Sequence, residues 1–409
     1  MNDEEPARTS GLARMRVRGF RTALDVTLRP GRVCALVGEA NAGKSNLLAA
    51  MWMLLDPLAP APQRTDVAVG SHGGIAIEGD LTSGGSVRLD AAPPKVVRSA
   101  RASRPDVLFM PAELRSGAVV AATAAAGGGA RRAHAAIAGT LEQALEQLSG
   151  HASSATGAVS LVSALELLRA ETVAGIVVLI EEPELFLRPQ AQRYLYRLLR
   201  ELATAGNQVV YSTHAPAFLN VGRLEELAFV HRDPQHGVRV HQPGPFPAAS
   251  DFRTLSEFDA ERSELFLARA VLLVEGVTEK LAFPFVFRAL GHDSDREAIS
   301  IVECGGKANI PLFVQICRAA GVPCVAVHDR DAPPGRRPIA AERFINRQIE
   351  EAATADRTVV MVPDFESVAG LRGRRHKPER AWQRFTEAEE PVPEPLARAA
   401  RLALALARD

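Results

Sequence analysis

Three stretches of this sequence combine residue types at spacings that suit phosphate and metal chemistry. The first, Gly38-Glu39-Ala40-Asn41-Ala42-Gly43-Lys44-Ser45, fits G-x-x-x-x-G-K-[ST]. Glycines in such a loop let backbone amides close around phosphates, and the helix that follows adds its positive end. Lys44 then reaches the β- and γ-phosphates, the Ser45 hydroxyl ligates Mg²⁺, and Gly38, Asn41 and Gly43 line the nucleotide. In the second stretch, an apolar run over 176–180 ends in Glu181-Glu182-Pro183-Glu184, and a later run ends in Ser212-Thr213-His214. One carboxylate at such a strand end can hold Mg²⁺ through water while its neighbour polarises the attacking water. Glu181 takes the metal-side role, Glu182 the catalytic one, and His214 the place of a γ-phosphate sensor.

The third stretch is acidic and discontinuous. It runs from Glu275-Gly276-Val277-Thr278-Glu279 through Glu303-Cys304-Gly305-Gly306-Lys307 to Asp329-Arg330-Asp331. Each cluster closes an apolar run, so a parallel sheet would gather the carboxylates at one edge. If the last strand continues, alternation turns Asp329 and Asp331 the same way. Oxygen-only clusters suit Mg²⁺ or Mn²⁺ better than zinc, and they support phosphodiester cleavage by activating water. Glu303 and Asp364, taken singly, are equally well explained as surface ion-pair residues.

The elements that must position these groups follow from periodicity. Residues 15–20, 23–28 and 33–37 alternate as strands, the loop 38–45 follows, and 46–55 reads as a helix. Residues 56–105 are rich in Pro, Gly and Ser with short alternating pieces such as 86–90, and 107–110 is a further strand. Residues 117–170 are Ala-rich and helical in character. A strand over 176–180, an amphipathic helix over 189–202 and a strand over 208–212 come next. Pro, Gly and His collect over 233–250, which marks a linker. Strands over 270–275, 298–303, 323–328 and 357–362 then alternate with helices over 278–290, 308–320 and 340–353. Such alternation favours two parallel-sheet α/β domains in tandem, with ligands at the C-terminal strand ends.

Composition excludes some classes. The 409 residues are 47% apolar, and 48 basic residues balance 48 acidic ones. Disorder throughout is excluded, and so is coating of nucleic acid by bulk charge; a local basic groove is not. The four cysteines (Cys34, Cys304, Cys317, Cys324) show no CxxC pairing and read as reduced thiols. Residues 1–10 lack an apolar signal core, and the longest apolar runs are of strand length. A cytoplasmic protein with no membrane segment is expected. Only five of the 48 basic residues are lysines (Lys44, Lys95, Lys280, Lys307, Lys377). All but Lys95 fall within or beside the motifs above or the basic stretch below.

The N-terminal motifs resemble the ABC/SMC-like ATPase domain of the overcoming-lysogenization-defect (OLD) nucleases, through Gly19-Phe20, the 38–45 loop, 176–184 and 212–216. Phe186 and Arg188 stand where that family has histidines, and its signature segment is degenerate here, with Ser153-Ser154-Ala155-Thr156-Gly157 in its place. Residues 263 to about 390 resemble the Toprim domain of the same family, with Pro363-Asp364-Phe365-Glu366 and His376-Lys377-Pro378 also matching. That resemblance implies that Glu275, Glu279, Asp329, Asp331 and Glu366 hold divalent metal. It also makes Glu275 an acid/base and gives Lys377 the charge on the scissile phosphate.

Arg372, Arg374, Arg375, Lys377, Arg380 and Arg384 crowd around Trp382 with one acid, Glu379, which suits contact with a phosphate backbone. The tyrosines, Tyr194, Tyr196 and Tyr211, all lie in the ATPase half, so cleavage by metal-activated water fits better than a topoisomerase-type tyrosine nucleophile. The expected fold is α/β: an ABC-type P-loop ATPase domain over 1–240 with a helical segment at 117–150, a linker over 241–262, and a Toprim domain over 263–409. The expected function is an ATP-binding, Mg²⁺- or Mn²⁺-dependent DNA endonuclease in phage defence or DNA repair, acting as a homodimer with a helicase-like partner. The alternatives are a nucleotide-switched nucleic-acid-binding module and a Toprim nucleotidyltransferase.

Overall fold

Aliphatic runs dictate the centre of each parallel sheet in this chain, which a computed structural model describes over residues 11–69, 71, 74–112, 155–170, 172–233, 235–246, 261–371, 377–387 and 391–408. The chain divides into two units, Met1–Leu219 with Glu225–Gln242, and Asn220–Leu224 with Pro243–Asp409. The stretch 117–150, residues 153–154 of the signature segment and residues 372–376 of the basic stretch lie outside the described residues.

In the first unit, β3 (Val33–Val37) and β9 (Gln208–Thr213) are buried at every position, and β8 (Ile176–Glu181) at every position but its last. Strands covered on both faces carry continuous apolar runs. They sit in a six-stranded sheet of order β11-β10-β3-β9-β8-β7, with β7 at Asp106–Met110, β10 at Leu227–Asp233 and β11 at Gly237–His241. All neighbours are parallel except the β10–β11 hairpin. Residues 237–241, read from composition as linker, are therefore an edge strand of this sheet. Asp233 makes the turn by accepting the Gln235 and His236 main-chain N–H groups at 2.7 and 2.8 Å.

A second sheet, antiparallel in order β2-β1-β4-β5-β6, was not foreseen as such. It comprises β1 (Leu12–Phe20), β2 (Ala23–Leu28), β4 (Ile75–Leu81), β5 (Ser86–Ala92) and β6 (Lys95–Ala100). Its inner strands β4 and β5 alternate buried with more exposed residues, as a sheet wet on one face must. Helix α1 (Lys44–Leu55) packs between the two sheets and contributes Leu47, Leu48, Met51 and Leu54 to their shared core. Gln208 also ties them: its side chain accepts the Leu12 N–H and donates to the Leu12 carbonyl, both at 2.8 Å. Helices α2 (Ala155–Ala170) and α3 (Pro189–Thr204) pack against each other, and α3 packs on β9.

The second unit has the parallel sheet expected of it, in order β13-β12-β14-β15. The strands are β12 (Ala270–Val274), β13 (Ile299–Glu303), β14 (Cys324–Asp329) and β15 (Thr358–Met361). Ala270, Leu272 and Val274 join a core with α4 (Val277–Ala289) and the last helix, Glu394–Arg408. Val271 and Leu273, equally buried, are left to the face that α5 (Ile310–Ala320) covers. Helix α6 (Ala340–Ala353) packs on β14, and α7 (Phe365–Val368) and α8 (Lys377–Glu387) follow, so that Glu394–Arg408 is α9. Among the described residues no helix is long and apolar enough to cross a membrane.

Candidate active sites

The P-loop begins where β3 runs out of buried residues. At Gly38 (φ +153) a Cβ atom would stand 2.1 Å from the Val230 carbonyl oxygen, and at Gly43 (φ +110) one would stand 2.5 Å from Val238 Cγ2. Only glycine lets the loop pass so close to β10 and β11. Asn41 adopts a left-handed φ of +61°, which asparagine tolerates. Helix α1 starts at Lys44 instead of residue 46, with no side-chain cap and no acid in its first turn. Its leading N–H groups are thus left for an anion, and Ser45 is exposed beside them. Lys44 is buried and donates to the carbonyl oxygens of Gly38 and Glu39 at 2.8 and 2.7 Å. Burial lowers its pKa to about 8, against the pull of Glu182, Glu184 and Glu39. An ammonium that meets only carbonyls, beside uncapped N–H groups, fits the phosphates of ATP.

Strand β8 delivers Glu181, whose Oε2 accepts the Ala112 N–H at 3.2 Å. The chain then turns through a left-handed Glu182 (φ +44), whose N–H donates to the Ser212 carbonyl at 3.0 Å. This brings Glu182 Oε1 within 3.6 Å of His214 Nε2. Burial, then the charge on Lys44, lowers the His214 pKa, so the ring is neutral near pH 7. Glu184 had no assigned role in the sequence, yet it holds this corner. Its Oε1 accepts the Thr213 hydroxyl at 2.9 Å and the His214 N–H at 2.6 Å, while Oε2 is buried with no hydrogen-bond partner. Periodicity could not find it, because the strand pattern stops at Glu181.

In the second unit, Glu275 follows β12 and Asp329 ends the neighbouring β14. Glu275 Oε1 accepts the Asp329 N–H at 2.6 Å, and Asp329 Oδ1 accepts the Phe365 N–H at 2.8 Å. Asp329 thereby seats the first turn of α7, which carries Glu366. Burial raises Glu275 and Glu279 to about 7. Burial, then the charge on Glu275, raises Asp329 to about 8; Glu366 adds to the shifts of Asp329 and Glu279. His328, between the strands, is pushed down to about 4 by burial and is neutral. The Gly305-Gly306 turn closes on this edge, with the Gly306 N–H donating to the Glu275 carbonyl at 2.8 Å.

Asp331 is placed differently from the alternation expected of it. Strand β14 ends at Asp329, and Asp331 takes a left-handed φ of +58° with its N–H on the Pro363 carbonyl at 2.9 Å. Its carboxylate pairs with buried Lys307, which also meets Glu342 at 3.2 Å. Glu342 is a residue that sequence reasoning did not single out. Lys280 pairs with Glu261, Glu303 with Arg262 at 3.7 Å, and Asp364 caps α7 by accepting the Ser367 N–H at 2.8 Å. Lys377 opens α8, and its side chain lies outside the described residues.

Among the described residues no three Asp, Glu, His or Cys side chains are drawn into a ready cation cage. Glu275 and Asp329 each turn one oxygen to a main-chain N–H. The donor set still fits Mg²⁺ or Mn²⁺. It is all oxygen, and its carboxyl groups, raised by burial, would be charged again against a divalent cation.

Residues 266–331 match the family described as overcoming lysogenization defect protein-like, TOPRIM domain, and residues 139–220 match the AAA domain family described under AbiEii toxin, Type IV TA system. The chain is 39% identical over 223 residues to the OLD nuclease of Thermus scotoductus, covering 50% of this chain and 42% of that protein. It is 27% identical over 164 residues to the Old nuclease of Escherichia phage P2, covering 39% and 28%. The chain thus spans less than half the length of these curated relatives. The SMC head domain from Thermotoga maritima aligns with a TM-score of 0.37 and 13% identity over 57% of this chain and 99% of that one. The segment bearing Glu275, Glu279, Asp329 and Asp331 thus matches the OLD-like Toprim family, downstream of a segment that matches an AAA-domain family.

Proposed function

We propose that the chain is an ATP-regulated, divalent-metal-dependent DNA endonuclease. The observation that carries this reading is the approach of four carboxylates, Glu275, Glu279, Asp329 and Glu366, to one edge of a parallel sheet, where burial raises Glu275 and Glu279 to about 7 and Asp329 to about 8. A divalent cation bound there, Mg²⁺ or Mn²⁺, supplies polarisation of the scissile phosphate and a more acidic water. Glu275 is the residue that holds or releases a proton near pH 7, at the oxygen turned away from the Asp329 N–H. Asp331, paired with Lys307 on the adjoining loop, also raises Glu275 and Asp329 and is a further candidate for the metal. Lys377, at the head of α8, is assigned the charge developing on the phosphate.

In the first unit, Lys44 exchanges its loop carbonyls for the β- and γ-phosphates, and Ser45 and Glu181 serve the nucleotide's Mg²⁺. Glu182 orients the attacking water, and neutral His214 reports the γ-phosphate. ATP in this unit regulates access of DNA to the Toprim unit. Four buried free cysteines suit a reducing cytoplasm, and the OLD resemblance suits a homodimer. The test is incubation of the purified chain with supercoiled plasmid and Mg²⁺ or Mn²⁺, with and without ATP. Metal-dependent nicking whose rate changes with ATP is expected; DNA binding without cutting under either metal would favour a nucleotide-switched binding module.

A further inference from the structure

The segment joining β14 to α6, with the first two turns of α6, carries five arginines: Arg330, Arg336, Arg337, Arg343 and Arg347. The acids within the same stretch are Asp331 and Glu342, and both are taken by Lys307. No carboxylate lies within ion-pair distance of any of the five guanidinium groups among the described residues. The pairing through Lys307 is what leaves them without a carboxylate partner. It removes the local counter-charge and fastens the loop to the start of α6 at the same time. Two further bonds order the loop: Arg330 donates to the Arg336 carbonyl at 3.0 Å, and Asn346 donates to the Arg330 carbonyl at 3.3 Å.

Helix α6 buries Ile349 and Ala353 and turns Arg343, Phe344 and Arg347 outward. Arg343 and Arg347 are one turn apart on a single face, and Phe344, 62% exposed, is their neighbour. An exposed aromatic beside guanidiniums that no carboxylate neutralises suits an anionic partner. The stretch begins one residue after Asp329, at the C-terminal sheet edge where the carboxylates stand. Glu350 and Glu351 come a turn or more further from that edge.

The geometry points to this arginine arm as the surface along which the DNA backbone runs to reach the carboxylates, a role that rests on the nuclease reading above. The guanidiniums take phosphate oxygens and Phe344 lies against the exposed sugars or bases. The contact is made by charge and stacking, so it reads no sequence.

The test uses the full chain and a fluorescein-labelled DNA duplex in metal-free buffer, with anisotropy titrations over a series of salt concentrations. Arg336→Ala/Arg337→Ala and Arg343→Ala/Arg347→Ala, all exposed positions, are compared with Arg343→Lys/Arg347→Lys. Each alanine pair should weaken binding and flatten the plot of log affinity against log salt by about two units, at roughly 0.9 per phosphate contact. The lysine pair should keep the wild-type slope, which a merely structural role for these arginines would not allow. Unchanged affinity and slope in both alanine pairs, in a wild type that binds and nicks DNA, would overturn the arm alone. A wild type that neither binds nor nicks DNA would overturn the nuclease reading and the arm with it.

Discussion

Glu275 Oε1 accepts the main-chain N–H of Asp329 at 2.6 Å, joining the ends of two adjacent parallel strands whose sequence positions are 54 residues apart. The bond spends one oxygen on architecture and leaves the other for chemistry. Glu275→Gln keeps an acceptor for that N–H and loses the charge. Nicking by this variant should fall by about 10²–10⁴-fold, the usual weight of a positioned acid or base. Its metal-free unfolding midpoint should not drop. A large loss of stability on Glu275→Gln would show that the charge is structural.

The raised acids set a pH dependence. Glu275 and Glu279 at about 7 and Asp329 at about 8 lie above the ordinary carboxylate range, so the folded chain binds more protons than the unfolded one between these limits. Stability of the metal-free Toprim unit is therefore fullest in acid and declines as pH rises through 7 to 8. A divalent cation must displace those protons, so its stabilising effect should grow across the same window. Thermal melts with and without Mn²⁺, at about pH 6 and about pH 8.5, check this. An Mn²⁺ shift that is larger on the acid side would contradict it.

At the nucleotide site, the two carbonyl contacts of Lys44 are made by a compact ammonium in a buried position. A forked guanidinium cannot replace it there. Lys44→Arg should weaken binding of a fluorescent ATP analogue by about 10–100-fold, the weight of one charged hydrogen bond. Gly38→Ala should do so as well, because its Cβ would meet the Val230 carbonyl at 2.1 Å.

Glu184 separates binding from turnover. Glu184→Ala strands the Thr213 hydroxyl and the His214 N–H that it now accepts, and an unmet buried donor costs about 1–3 kcal/mol. Phosphate release should slow at least about tenfold while affinity for the ATP analogue stays near wild type. Glu184→Gln keeps an acceptor and should recover much of the rate. Equal turnover in all three proteins would remove Glu184 from the positioning of His214.

Much of this was legible in the sequence, because strands buried on both faces carry continuous apolar stretches, as β3, β8 and β12 do throughout and β9 and β14 do at their centres. The antiparallel sheet was harder to read. Its β6 strand, Lys95–Ala100, is an exposed edge with no buried residue, so nothing apolar announces it. The alternation expected to reach Asp331 if the strand continued stops at Asp329, where a left-handed residue follows, and single-residue φ is not written in hydropathy. Glu184, Glu342 and the arginine arm depend on which partners the fold brings near. The lysine skew was informative at two positions: among the described residues, Lys44 and Lys307 are the buried lysines, at 5% and 8% exposure. Lys280 is paired with Glu261, and Lys95 is exposed at the start of β6, where Lys95→Arg should leave activity and stability unchanged.

The central claim is that the carboxylates at the C-terminal edge of the second sheet cut DNA with a divalent metal. It is tested most directly by the initial rate of supercoiled-plasmid nicking in Mn²⁺ for the wild-type chain, Asp329→Ala and Glu275→Ala side by side. Nicking by the wild type is expected, with a loss of about 10²-fold or more in both variants. Wild-type rates in either variant, or no nicking by the wild type under Mn²⁺ or Mg²⁺, would contradict it.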